Sequence, residues 1–135
     1  MRRDFTPYVE DLEYLEDREA PWEAVREGNA CWYILHGYLP PEGYTPNSVS
    51  AAFCLPGTYP STQIDMIYFH PHLTRLDGKT PNRLTNRRFD GKDWQQWSRH
   101  RLSPNDWQDG VDYLSTHIHY IEMVLRGEVD EPAMI

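Results

Sequence analysis

The chain has 135 residues but only two cysteines, Cys31 and Cys54, and no apolar run near the roughly 18 to 20 residues of a membrane span. Two thiols cannot build a disulfide framework, and both lie in apolar runs, ACWYIL and AAFCLP. They read as buried thiols of a reducing compartment, neither nucleophiles nor ligands. The first residues, MRRDFTPYVEDLEYLED, lack the apolar centre of a signal peptide, so the expected location is the cytoplasm. Bases are also scarce, 13 against 21 acids for a formal charge of -8, which argues against general phosphate or nucleic-acid binding. What remains fits a single domain over 1–135, large enough to fold on its own core.

The charge is uneven along the chain. Residues 1–28 carry nine acids and four bases, and residues 102–135 carry seven acids and one base. Between them, residues 72–101 hold three acids and eight bases: Arg75, Lys79, Arg83, Arg87, Arg88, Lys92, Arg99 and Arg101. A basic island in an acidic protein suits a solvated loop or an acidic partner.

Tyr8, Val9, Leu12 and Leu15 recur at helical spacing, predicting a short acidic helix that ends before Pro21. Residues 22–69 read as three or four strands in a meander, with turn-rich segments between ACWYILH, VSAAFCLP and QIDMIYFH. From 71 to about 106, Pro, Gly, Asn and Arg are frequent and no period persists, predicting a long ordered loop of the kind that carries function. After Trp107, the series Val111, Leu114, Ile118, Ile121 and Leu125 predicts a helix that stops at Gly127, with Asp109 and Asp112 suiting its positive end. The expected fold class is therefore α+β.

Two polar groups invite a chemical reading. His70, His72, His117 and His119 do not have the i, i+4 spacing of a helical ligand pair and no acid or thiol cluster completes them, so no metal is expected. Ser98-Arg99-His100 places a hydroxyl and an imidazole two residues apart. That puts them on one face of extended chain, where the histidine could act as the serine's base. Loop-anchoring hydrogen bonds are the plainer explanation of the same residues.

The order of these features resembles the ubiquitin-conjugating enzyme superfamily. The matching pieces are Trp32, Gly37, Tyr44, FCLPGTYP at 53–60, IDMIYFHPHL at 64–73, and Trp107 ahead of DGVDYLSTHIHYIEMVLRG. The segment WQQWSRH at 94–100 is similar to one characteristic of the divergent bacterial branch found beside activating-enzyme, ubiquitin-like and deubiquitinase genes. The resemblance implies an N-terminal helix, an antiparallel four-stranded meander, a long active-site loop over 71–106 and a C-terminal helix packed on the sheet. It implies a carrier that receives a ubiquitin-like protein from an activating enzyme, with a deubiquitinase-type peptidase as a further partner and no cofactor.

The departures concern chemistry. His72 stands at the family's asparagine position, and the loop has no cysteine. Counting forward from His72 reaches Thr80; counting back from Trp107 reaches Ser98. The resemblance then implies an oxyester on Ser98, with His100 as base, Arg99 supporting the oxyanion and Thr80 as the second choice of nucleophile. The rival expectation is an inactive adaptor that keeps the fold and binds the ubiquitin-like protein or its activating enzyme.

Overall fold

The computed structural model describes residues 1–130. Helix α1 (Val9–Asp17) is followed by strands β1 (Trp22–Glu27), β2 (Ala30–Tyr38), β3 (Tyr44–Thr45), β4 (Val49–Leu55), β5 (Met66–His70), β6 (Thr74–Arg75), β7 (Leu84–Phe89) and β8 (Lys92–Ser98), then helix α2 (Leu114–Asp130). The class is α+β. The strands expected in 22–69 form an antiparallel run β1-β2-β4-β5, but the sheet continues with β8 and β7 to six strands, and β3 and β6 pair separately. The stretch expected to be a loop thus holds a hairpin, whose turn at Asp90-Gly91 has positive φ at both residues (52° and 70°). That conformation matches the right-handed twist of the flanking strands.

The face of the sheet toward α2 buries Trp22, Tyr33, Leu35, Phe53, Ile67, Phe69 and Trp97 against Leu114, Ile118, Ile121 and Leu125 of α2 and Leu15 of α1. Alternation along the strands sends Val25, Trp32, Ile34, Ala52, Tyr68 and Trp94 to the opposite face, where they form a second core with Phe89. This second core exists because the sheet curls. Phe89 on β7 stacks on Trp32 of β2 at 3.9 Å between ring centroids, although three strands separate β2 from β7 in the sheet. Arg2 fastens the curl, bonding Glu23 of β1 at 2.7 Å and both oxygens of Asp90 at 2.8 and 2.7 Å. Burial alone would push the Glu23 carboxyl up, but bonds from Arg2 and His36 hold it down at about 2.

Helix α2 begins at Leu114 rather than just after Trp107, and it runs through Gly127 instead of stopping there. Val111 is exposed ahead of the helix, and Asp112 accepts a bond from the Gln108 amide rather than serving the helix's first turn. The Leu114 amide is instead met by Asp11 Oδ1 at 3.1 Å and the Tyr59 hydroxyl oxygen at 2.9 Å. Asp11, fully buried on α1, also accepts from the Tyr33 and Tyr59 hydroxyls, so one carboxyl ties α1, β2, the Tyr59 turn and α2 together. Its pKa is raised by burial, partly offset by these donors. At the other end, Val129 of α2 lies 3.1–3.2 Å from where a Cβ on Gly43 would sit, so only glycine admits the last turn there.

Candidate functional site

The register of β5 separates the sequence candidates into two places. Met66, its first residue, pairs with Ser98 of β8, while His70, its last, pairs with Ser50 and has Nδ1 3.3 Å from the Asp93 carbonyl. Four residues of strand put these ends roughly 13 Å apart. Ser98 and His72, the histidine at the family's asparagine position, therefore lie toward opposite ends of β5.

At the His70 end, exposed His72 leads into β6 and a pocket of about 190 Å³ lined by Leu73, Arg75, Lys79, Thr80, Leu84 and Gln95 among others. Gln95 braces this pocket by exchanging bonds with the Leu73 backbone, 2.9 Å from its amide and 3.0 Å to its carbonyl. Thr80 is exposed here beside Lys79, whose amide bonds Asp77 at 3.0 Å. The hairpin explains why counting from both sides failed: its 84–98 span lies after Thr80, so the forward count never crosses it, whereas the backward count from Trp107 ends in β8.

At the Met66 end, Ser98 is half-buried in the ladder, its amide donating to the Arg83 carbonyl at 3.2 Å. Its hydroxyl meets Met66 Sδ at 3.9 Å, a weak contact. Two residues on, His100 Nδ1 lies 2.6 Å from Asp65 Oδ1, with both side chains nearly half exposed (47% and 44%). The His100 carbonyl accepts from the Tyr120 hydroxyl of α2 at 3.1 Å, which fixes the segment against the helix. Asp65 also lines a pocket of about 220 Å³ with Cys54, Pro56, Gln63, Met66 and Tyr68. An imidazole held at Nδ1 by a carboxylate keeps the tautomer whose Nε2 can accept a proton, the arrangement a hydroxyl nucleophile needs from its base.

Arg99 does not fit its expected role. Strand alternation turns it to the α2 side, away from Ser98. There it forms a bidentate pair with Glu128 (2.7 and 2.9 Å), donates to the Ser98 carbonyl and lies 4.8 Å over the Trp97 ring. Its donors hold α2 to the sheet rather than an oxyanion.

The cysteines are half-buried, not buried as expected. Cys31 opens on a pocket of about 210 Å³ beside Phe5, Tyr8, Leu55 and Tyr59, and Cys54 faces the Asp65 pocket. Burial pushes the Cys54 thiol up, with Arg87 partly offsetting it, so the thiolate is disfavoured. Among the described residues, no three His, Cys, Asp or Glu side chains gather as metal ligands, and no helix is long and apolar enough to cross a membrane. His117 is fully buried and His119 exposed, so the two imidazoles lie on different sides of α2.

Sequence reasoning missed Asp65. The signal was an acid directly before the apolar run MIYFH, a place where a strand's first turn outward leaves a carboxylate at the surface. It also missed Asp11, whose signal was an acid four residues before Leu15 on the apolar stripe of α1.

No curated protein and no solved structure matches this chain. Residues 8–128 match the family model described as Prokaryotic E2 family E. Since that match spans both helices up to the last turn of α2 and all eight strands, the chain belongs to prokaryotic E2 family E.

Proposed function

We propose that this chain is an E2-like carrier that takes a ubiquitin-like protein from an activating enzyme onto the Ser98 hydroxyl, as an oxyester in place of a thioester. The observation that carries the reading is the Asp65–His100 pair, an imidazole two residues from a hydroxyl, oriented by a carboxylate that lines an open pocket. Asp65 holds Nδ1–H, so Nε2 takes the Ser98 proton as Oγ attacks the acyl carbon of the donor thioester, and passes that proton to the departing thiolate. When a target amine later attacks the ester, the same imidazole takes a proton from the amine and delivers it to the leaving Ser98 oxygen. Closure of the Ser98–His100 contact is expected on docking of the donor, because such bonds are often loose in a free enzyme.

Reconstitution with the activating enzyme, ATP and the ubiquitin-like protein tests this. The adduct should survive thiols, yield to alkali or hydroxylamine, disappear with Ser98→Ala and persist with Thr80→Ala. A thiol-labile adduct that maps to Cys54 would overturn it.

A second reading, a non-catalytic adaptor for the ubiquitin-like protein or its activating enzyme, is favoured by one contact: the Ser98 hydroxyl rests on a thioether rather than on its base. An adaptor would be retained in a pull-down with either partner and form no covalent adduct in the same reaction.

A further inference from the structure

The β7 edge of the sheet has no role in the chemistry above, and its backbone can be assigned atom by atom. The Ser98 amide bonds the Arg83 carbonyl, and the hairpin register pairs Thr85 with Gln96, Arg87 with Trp94 and Phe89 with Lys92. In an antiparallel pair the bonded residues alternate, so Arg83, Thr85, Arg87 and Phe89 spend their backbone groups on β8. Leu84, Asn86 and Arg88 consequently turn their N–H and C=O groups away from β8, along an edge that no described strand covers.

The free charge on this edge is basic. Arg83, Arg87, Arg88 and Lys92 are all exposed, while the two acids of the hairpin are engaged, Asp93 with Arg88 at 3.3 Å and Asp90 with Arg2 at 2.8 and 2.7 Å. Arg87 is held in place, its guanidinium 5.5 Å over the Trp32 ring, and because successive residues point to opposite faces, Arg87 and Arg88 flank the edge above and below. The N-terminal edge is treated differently: residues 2–4 lie along β1, exchanging backbone bonds between Arg2, Asp4 and Ala24. One edge is covered by the chain itself and the other is left open and cationic.

We infer that the β7 edge is a docking site for an extended acidic peptide segment of a partner protein, which adds to the sheet as a seventh antiparallel or parallel strand. Main-chain bonds to Leu84, Asn86 and Arg88 supply the pairing, and carboxylates on both faces of the incoming strand meet Arg83, Arg87, Arg88 and Lys92. Edge cations also discourage self-pairing, a purely protective role that predicts no binding at all. A nucleic acid would use the same charge but has no use for alternate backbone amides.

The experiment uses the full chain and a synthetic eight-residue peptide alternating glutamate and valine, with a lysine–valine peptide and a single-stranded oligonucleotide as comparisons. The glutamate peptide should slow amide hydrogen exchange at Leu84, Asn86 and Arg88 while leaving Thr85 and Arg87, already bonded, unchanged. Asn86→Pro removes an outward N–H without touching the β7–β8 ladder and should abolish binding. If that variant proves unstable, the double variant Arg83→Gln, Arg88→Gln should weaken binding roughly tenfold, or about 1.4 kcal/mol. The inference is overturned by absent protection, by equal protection with the lysine peptide, by tighter binding of the oligonucleotide, or by binding that survives both variants. None of these readouts depends on ester formation at Ser98.

Discussion

The two ends of β5 carry the same kinds of side chain, a histidine and a hydroxyl, and differ in what holds them. At the His70 end, His72 and Thr80 are exposed and the hydrogen bonds belong to scaffolding, through Gln95 and Asp77. At the Met66 end, a carboxylate grips the imidazole at Nδ1 and α2 grips its carbonyl, so the His100 ring is already oriented in the free chain. Residue type and spacing in the sequence do not distinguish these places; second partners do. The largest expected effect follows. His100→Ala should slow ester formation about 10²- to 10⁴-fold, the usual worth of a positioned base, whereas His72→Ala should leave the rate within the scatter of the wild type. Single-turnover transfer from the loaded activating enzyme measures it. A large loss in His72→Ala with none in His100→Ala would move the site to the Thr80 pocket.

A second difference lies beneath the Met66 end. His117 of α2 is fully buried there, with Nε2 3.2 Å from the Met66 carbonyl and its ring edge-on to Phe53 at 5.7 Å. Burial lowers its pKa to about 4, against the bond to Met66 that favours the proton. Nε2 therefore donates as a neutral imidazole. The unfolded chain takes up a proton near 6.5 and the fold resists until about 4, so the unfolded state binds more protons in that window. Stability present above pH 6.5 is accordingly lost as the pH falls to 4, by up to roughly 3 kcal/mol. Urea midpoints across pH 4–7 should show this slope, and His117→Leu should flatten it. A slope that survives the substitution would assign the acid sensitivity elsewhere and remove this support from the Met66 end.

How much of this was legible depends on where the partners lie in sequence. The short α1, the strands between 22 and 69 and the apolar stripe of α2 all follow from local periodicity, which is set by contacts each element makes with one common core. The β7–β8 hairpin was hidden because its outward residues, Thr85, Asn86, Arg87 and Arg88, are polar on both faces, so β7 shows no alternation. Its one local signal, Asp90-Gly91, was legible as a two-residue turn. The end of α2 was misjudged because Gly127 is exposed and its would-be Cβ meets nothing, while the helix is carried past it by Glu128 on Arg99 and Val129 on Gly43. At the site, the serine and histidine could be read from their spacing. Asp65 could not, because it is 35 residues away from His100 and is brought there only by the pairing of β5 with β8.

The smallest expected effect separates holding from chemistry at the Met66 end. Arg99 adjoins both Ser98 and His100 in sequence yet points to the other face, where Glu128 takes two of its donors and leaves it almost fully buried. Glu128→Gln keeps the shape and removes the charge, stranding the guanidinium over Trp97. That should cost about 1–3 kcal/mol in the urea midpoint, less than losing a deeply buried pair because Glu128 retains some exposure. Ester yield per folded molecule should not change, since neither group reaches the face that bears Ser98. If Glu128→Gln instead lowers the transfer rate with the midpoint intact, Arg99 acts on the reacting groups, and the division between the face that holds α2 and the face that bears Ser98 fails at the residue where the two meet.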